Sequence, residues 1–200
     1  MNIMKHVQLL AVCGGLLTGS HVLAQDRPAA PAVPGQAQPR QLSGKAQQAV
    51  AELHALNQAR SAYSGAAAEV ADLPEVRSFF KERHIEYEKS DARLGAFALT
   101  YGVDVNSPQM QQKTKKVEEA WAKENKKIKQ AEGLKASKLA LSTFIQRNDQ
   151  SISSLRTLRG EVQEEKVAQL INDRIGSLEE ESTRAQQLSR MVDDAAKGSK

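Results

Sequence analysis

"DLPEVRSFFKERHIEYEKSDARLGAFALTYG", residues 72–102, decides the fold. Within it Val76, Phe80, Tyr87, Leu94, Phe97 and Tyr101 recur at steps of three, four and seven. That period lines one stripe of a helix and does not suit a strand, whose faces alternate at every residue. Both ends carry stop signals. Asp72 is placed to cap the amide end while Glu75, three residues on, reaches back in a capping box. Gly102 follows Tyr101, where the left-handed closing turn of a helix favours glycine.

The same period runs outward in both directions. Residues 45–71 place Leu53, Leu56, Tyr63, Ala67 and Val70 on one stripe. Beyond "NSPQM", Ser107 is a capping side chain and Pro108 sits in a first turn, where its missing amide hydrogen costs nothing. The stripe then continues through Met110, Val117, Trp121 and Ile128, meets Gly133, and resumes with Leu141, Ile145, Ile152 and Leu155 up to Gly160. Val167, Ile171, Ile175, Leu178, Ala185, Leu188 and Val192 form the last. The expectation is an all-α, antiparallel four-helix bundle over residues 45–194, its third helix bent or split at Gly133, with a disordered tail at 195–200.

The amino-terminal stretch has another character. "MNIMKHVQLLAVCGGLLTGSHVLA", residues 1–24, has Lys5, then an apolar run from Val7 to Leu17 and a small residue at Ala24. This is the layout of a cleaved secretory signal peptide. The run is short of the roughly 20 residues a spanning helix needs, so no transmembrane anchor is expected. Lipidation at Cys13 is the rival reading, against which stand the bulky Val12 before it and the short apolar run. Residues 25–44 hold Pro28, Pro31, Pro34 and Pro39 and read as a flexible linker with no apolar face to bury.

Composition excludes several functions. Loss of residues 1–24 removes the only cysteine, and with it any disulfide or thiolate chemistry. The excess of 28 basic over 24 acidic residues is too small to argue for nucleic acid. Charge is nevertheless uneven. Residues 113–138 hold nine lysines against four glutamates, and residues 161–194 hold nine acids against four basic residues. If these segments are neighbours, their charges screen each other. If they are not, Lys113, Lys116, Lys123 and Lys127 make a basic face for envelope polymer, anionic lipid or an acidic protein.

Catalytic residues and cofactors are not expected. The Glu-x-x-His pairs that line carboxylate-bridged metal sites in bundles do not occur. His84, Glu88 and Asp91 stand four and three residues apart on one face of the second helix. As a metal set they span too far to close on one ion without a second helix. The structural alternative is a boundary histidine packed on Phe80, with a ring nitrogen reaching Glu88 or a backbone group of another helix.

The stretch Val76–Val105, through Val76, Phe79, His84, Leu94, Ala98, Gly102 and Val103, resembles the helix-and-turn signature of the secreted bacterial proteins grouped as domain-of-unknown-function family 4142. "VAQLINDRIGSLEEESTRAQQL", residues 167–188, is similar to that family's final helix, with Gly176 in place of its proline. The resemblance implies a ferritin-like four-helix bundle, export to the periplasm or outer membrane, and no established activity. Where the family tends to repeat histidine, this chain has Asn148 or Asp149 and Glu181. The functional expectation is a non-enzymatic, exported protein with an envelope-associated binding or stress role. Its rivals are a periplasmic holdase and a ferritin-like metal-binding protein centred on His84. Nothing in the sequence sets the oligomeric state.

Overall fold

The chain divides into two units, residues 1–36 and 37–200. The computed structural model describes residues 41–198, all within the second unit, apart from the side chains of Gln109 and Lys113. The expected signal peptide and the linker up to residue 40 lie outside the described residues. The end of that expected linker belongs to the fold: Leu42 is buried, and Ser43 caps the first helix by accepting from the Ala46 amide at 3.2 Å.

Five helices make up the fold among the described residues, and no strand: α1 (Gly44–Val70), α2 (Pro74–Thr100), α3 (Pro108–Lys129), α4 (Gly133–Glu161) and α5 (Glu165–Gly198). This corrects the expected count of four. Gly133, at φ 56°, does not bend one long helix. It closes a reversal, for the chain passes through only residues 130–132 between α3 and α4. Only a residue without a Cβ adopts that left-handed backbone at little cost.

The direction of each helix follows from two apolar clusters at opposite ends of the bundle. One gathers Tyr63 and Ala67 of α1, Phe79 and Phe80 of α2, Ile128 of α3, Phe144 of α4 and Leu188 of α5. The other gathers Val50 and Leu53 of α1, Leu94 of α2, Met110 of α3, Leu155 of α4 and Ile171 of α5. Each helix therefore runs opposite to the one before it, and α3 lies parallel to α1. The pair Lys129–Glu69, at 3.7 Å, joins the carboxyl ends of those two.

A second departure concerns α1, which buries much more than one stripe. Ala46, Ala49, Val50, Ala51, Leu53, Ala55, Leu56 and Ala59 are all enclosed, as are His54, Asn57, Arg60 and Ser61. It is the helix that all four others pack against, most extensively α2 and α3. Alanine and serine make this possible, because short side chains let neighbouring backbones approach closely on several sides. Gly65 faces His84 of α2, where a Cβ would make only ordinary contact, 3.6 Å from Nδ1.

Several local expectations resolve at the ends. α2 closes as a Schellman motif, with the Val103 amide bonding the Ala98 carbonyl at 2.9 Å, the Gly102 amide bonding that of Leu99 at 3.1 Å, and Gly102 at φ 66°. The capping box at Asp72 does not form. α2 starts at Pro74 with Leu73 as its cap residue, one position too late for Asp72, whose amide donates instead to Ser137 Oγ of α4 at 2.9 Å. Ser107 is the cap residue of α3 as expected, but without a side-chain bond. Gly160 does not end α4, which runs on to Glu161. α5 continues to Gly198, through most of the stretch expected as a tail.

Candidate functional site

The middle of the bundle, between the two apolar clusters, holds a polar network built on Arg60. Arg60 stands at the step between Leu56 and Tyr63 on α1, so the helical period aims it inward with its apolar neighbours. It is fully buried. Its Nη1 donates to Asn148 Oδ1 of α4 and, at 3.3 Å, to Tyr87 Oη of α2. Its Nη2 donates to the Arg147 carbonyl at 3.3 Å and to Ser151 Oγ at 3.1 Å. The guanidinium also lies 5.4 to 5.8 Å from the ring centroids of Trp121, Phe144 and Tyr87. Aromatic faces offer it negative potential in place of water.

Tyr87 passes the connection on. Its hydroxyl donates to Glu181 Oε2 of α5, and Glu181 is itself 4% exposed. The other oxygen of Glu181 accepts from Ser177 Oγ at 3.2 Å and faces Arg83 Nη1 at 3.5 Å and Arg174 Nη1 at 3.8 Å. Arg174 is 9% exposed, and its guanidinium stacks 4.6 Å from the centroid of the Tyr87 ring. Asn148 is fully used, since its Nδ2 donates to the Leu178 carbonyl at 3.1 Å and to Ser182 Oγ at 2.9 Å. Four helices, α1, α2, α4 and α5, thus supply the polar centre.

Burial governs the proton affinities here. Removal from water lowers the Arg60 pKa; the adjacent Arg174 adds to this, and Tyr87 and Glu181 oppose it. The Tyr87 phenol is pushed up to about 12, first by burial and then by the Glu181 carboxylate, against the pull of both arginines. The unfolded chain ionises this phenol near pH 10, so stability is whole below pH 10 and is lost as pH rises from 10 towards 12. Two pH units correspond to about 3 kcal/mol. Urea unfolding at increasing pH is expected to show that loss. Tyr87→Phe should shrink the alkaline loss, and an unchanged loss would assign it to other groups.

The residues singled out in the sequence are not brought together. Asp91 turns to α1, where its Oδ1 lies 2.7 Å from His54 Nδ1 and its Oδ2 accepts from Gln58 Nε2 at 3.4 Å. His84 Nδ1 is taken up by α1, 2.8 Å from Ser61 Oγ and 3.0 Å from the Ser61 carbonyl oxygen. Only Nε2 faces Glu88, at 3.6 Å. Among the described residues, no three of His, Cys, Asp and Glu gather as a metal would require. Contact of His84 with Glu88 and with a backbone group of another helix matches the boundary-histidine reading.

Ser61 and His84 do have the spacing of a nucleophile and its base, but the setting lacks what acyl transfer needs. Ser61 lies inside α1, where backbone amides are bonded to the preceding turn and cannot stabilise an oxyanion.

The screening expectation holds in part: it fails for the lysines of α3, which packs away from α5. α3 packs on α1, with a smaller contact on α4, and its inner stripe holds Thr114, Val117, Trp121 and Ile128. Lys116, Lys123 and Lys127 are exposed on the outside. Lys127 pairs with Glu124 of its own helix at 3.2 Å. The side chain of Lys113 lies outside the described residues. The lysine-rich and acid-rich segments do meet at one point, where Lys138 of α4 pairs with Asp193 of α5, while Glu179 pairs instead with Arg156 at 2.6 Å.

Two pockets flank α1. One, of about 240 Å³, opens between α1, α2 and α5 beside Arg174. The other, of about 290 Å³, lies between α1, α3 and α4 over Trp121 and Arg147. No helix among the described residues is long and apolar enough to cross a membrane. The buried centre around Arg60, Tyr87, Asn148 and Glu181 was not foreseen as a unit, although all four residues fall in phase with the apolar stripes. Compared with family models, with curated proteins and with solved structures, the chain matches none.

Proposed function

We propose that this is a non-enzymatic, exported binding protein that meets an anionic envelope partner through the outer face of α3. One observation carries the reading: Lys116, Lys123 and Lys126 are exposed together on the side of α3 turned away from its core stripe, and none has an ion pair among the described residues. Lysines that are already paired gain little from a new anion, whereas unpaired ones keep their full attraction for it. The likeness of Val76–Val105 to the secreted family, and the ferritin-like bundle it implies, belong to this same proposal. On that view α3 is an additional helix laid along the bundle, and it carries the binding face.

Vesicles of phosphatidylglycerol in phosphatidylcholine, and polyglutamate as a soluble polymer, are suitable probes. Each lysine near an anionic surface contributes about 1 kcal/mol. Neutralising three, in Lys116→Gln/Lys123→Gln/Lys126→Gln, is therefore expected to weaken vesicle binding about a hundredfold with helicity unchanged. Raising salt from about 0.1 M to about 1 M shortens the screening length from about 10 Å to about 3 Å and should release the parent protein. Equal binding by parent and variant, or binding that persists in high salt, would sink the electrostatic reading.

A further inference from the structure

The buried centre is not balanced in charge. Arg60 and Arg174 are enclosed, and the one enclosed carboxylate among the described residues, Glu181, pairs with Arg174 and with the less buried Arg83, not with Arg60. A buried cation without a counter-charge is costly, so the arrangement favours one further negative charge. The uncompensated charge has a location. Arg174 directs Nη1 at Glu181, while Nε and Nη2 have no hydrogen-bond partner. Those two nitrogens form one edge of the guanidinium, the fork that takes a carboxylate through two parallel bonds.

We propose that the pocket between α1, α2 and α5 binds a small monocarboxylate with a short apolar tail, its carboxylate seated on the Nε–Nη2 edge of Arg174. Leu53, Leu94 and Leu170 supply apolar wall for the tail. A cavity of about 150 Å³ holds benzene, so the 240 Å³ here has room for a chain of several carbons. Asp173 lies in the lining and is exposed, which disfavours a second negative charge on the ligand, and Arg93, also exposed, offers a first contact at the entrance. The two free nitrogens of Arg174 are sealed from solvent, so binding requires the side chain to turn that edge into the pocket it lines.

Calorimetric titration of the full chain with hexanoate, with its neutral isostere hexanamide and with the dianion succinate tests the assignment. Hexanoate is expected to bind one to one and at least tenfold more tightly than either of the others. Arg174→Lys keeps the charge and removes the fork, and should weaken hexanoate at least tenfold. Leu170→Trp fills the pocket from a half-buried wall, leaves the polar centre intact, and should abolish binding while helicity is retained. The variant with three neutralised lysines on α3 should bind hexanoate as the parent does, which keeps this site separate from the proposed envelope contact. Absence of hexanoate binding overturns the proposal. So does equal affinity for hexanamide, or binding that either pocket variant leaves unchanged.

Discussion

Glu181→Leu is expected to cost the fold about 3–5 kcal/mol, read as a lowered urea midpoint at neutral pH. Two effects combine. The Tyr87 hydroxyl and Ser177 lose their acceptor, and Arg60 and Arg174 are left in the interior with no carboxylate facing them. An orphaned buried charge is penalised far more than a surface one, because no water reaches it to compensate. The same reasoning predicts a non-additive partner. Adding Arg174→Met to Glu181→Leu removes one of the two stranded cations, so the double variant should be more stable than Glu181→Leu alone. A loss below about 1 kcal/mol for the single variant, or strictly additive losses, would show that the carboxylate is not what holds these arginines in place.

Phe144→Ala should have a comparable effect for an apolar reason. Phe144 is fully buried at the meeting point of the aromatic cluster, with ring centroids 5.5 Å from Phe79, 5.6 Å from Phe80 and 6.5 Å from Tyr63. Its ring is also one of those against which the Arg60 guanidinium lies. Truncation removes the transfer gain of the ring and leaves a cavity between helices that cannot close without shifting α1 against α4, a cost of about 3–5 kcal/mol. Phe144→Leu retains most of the volume and should cost far less. Phe97→Ala provides the contrast, since Phe97 is only partly buried and packs beside Tyr101 at the edge of the other cluster. Thermal melts of the three variants rank these sites, and equal melting points for Phe144→Ala and Phe97→Ala would remove Phe144 from the centre of the core.

Much of the fold is legible in the sequence because its cues are local. Gly102 forms the closing turn of α2, and Pro108 sits in the first turn of α3, since both depend only on backbone preferences of a few adjacent residues. The capping box at Asp72 was equally readable but did not form, because α2 begins one position too late for it and the Asp72 amide donates to Ser137 on α4. The central role of α1 left a fainter trace. A helix enclosed on several sides shows no single apolar stripe, and the alanines that allow close packing look, in a sequence, like ordinary helix formers.

The candidate site shows the same division. Arg60, Asn148, Arg174 and Glu181 each occupy a step of an apolar stripe, at Leu56–Arg60–Tyr63, Phe144–Asn148–Ile152, Ile171–Arg174–Leu178 and Leu178–Glu181–Ala185. Polar residues in phase with a core are the signal that was available. His84, by contrast, drew attention through its spacing to Glu88 and Asp91, yet Asp91 belongs to His54, because a shared helical face does not determine which way a side chain turns.

Read alone, the sequence took residues 195–200 as a tail but marked residues 45–194 as helical, placed the breaks to within a few residues and singled out candidates for burial. These follow from periodicity and backbone preference, which act over a turn or two of chain. The reversal at Gly133, the central place of α1 and the sharing of Glu181 by Arg83 and Arg174 were settled by tertiary packing. Such outcomes depend on which helices become neighbours, and that choice is made by packing among residues as far apart as Arg60 and Asn148, or Tyr87 and Glu181, beyond the reach of any local pattern.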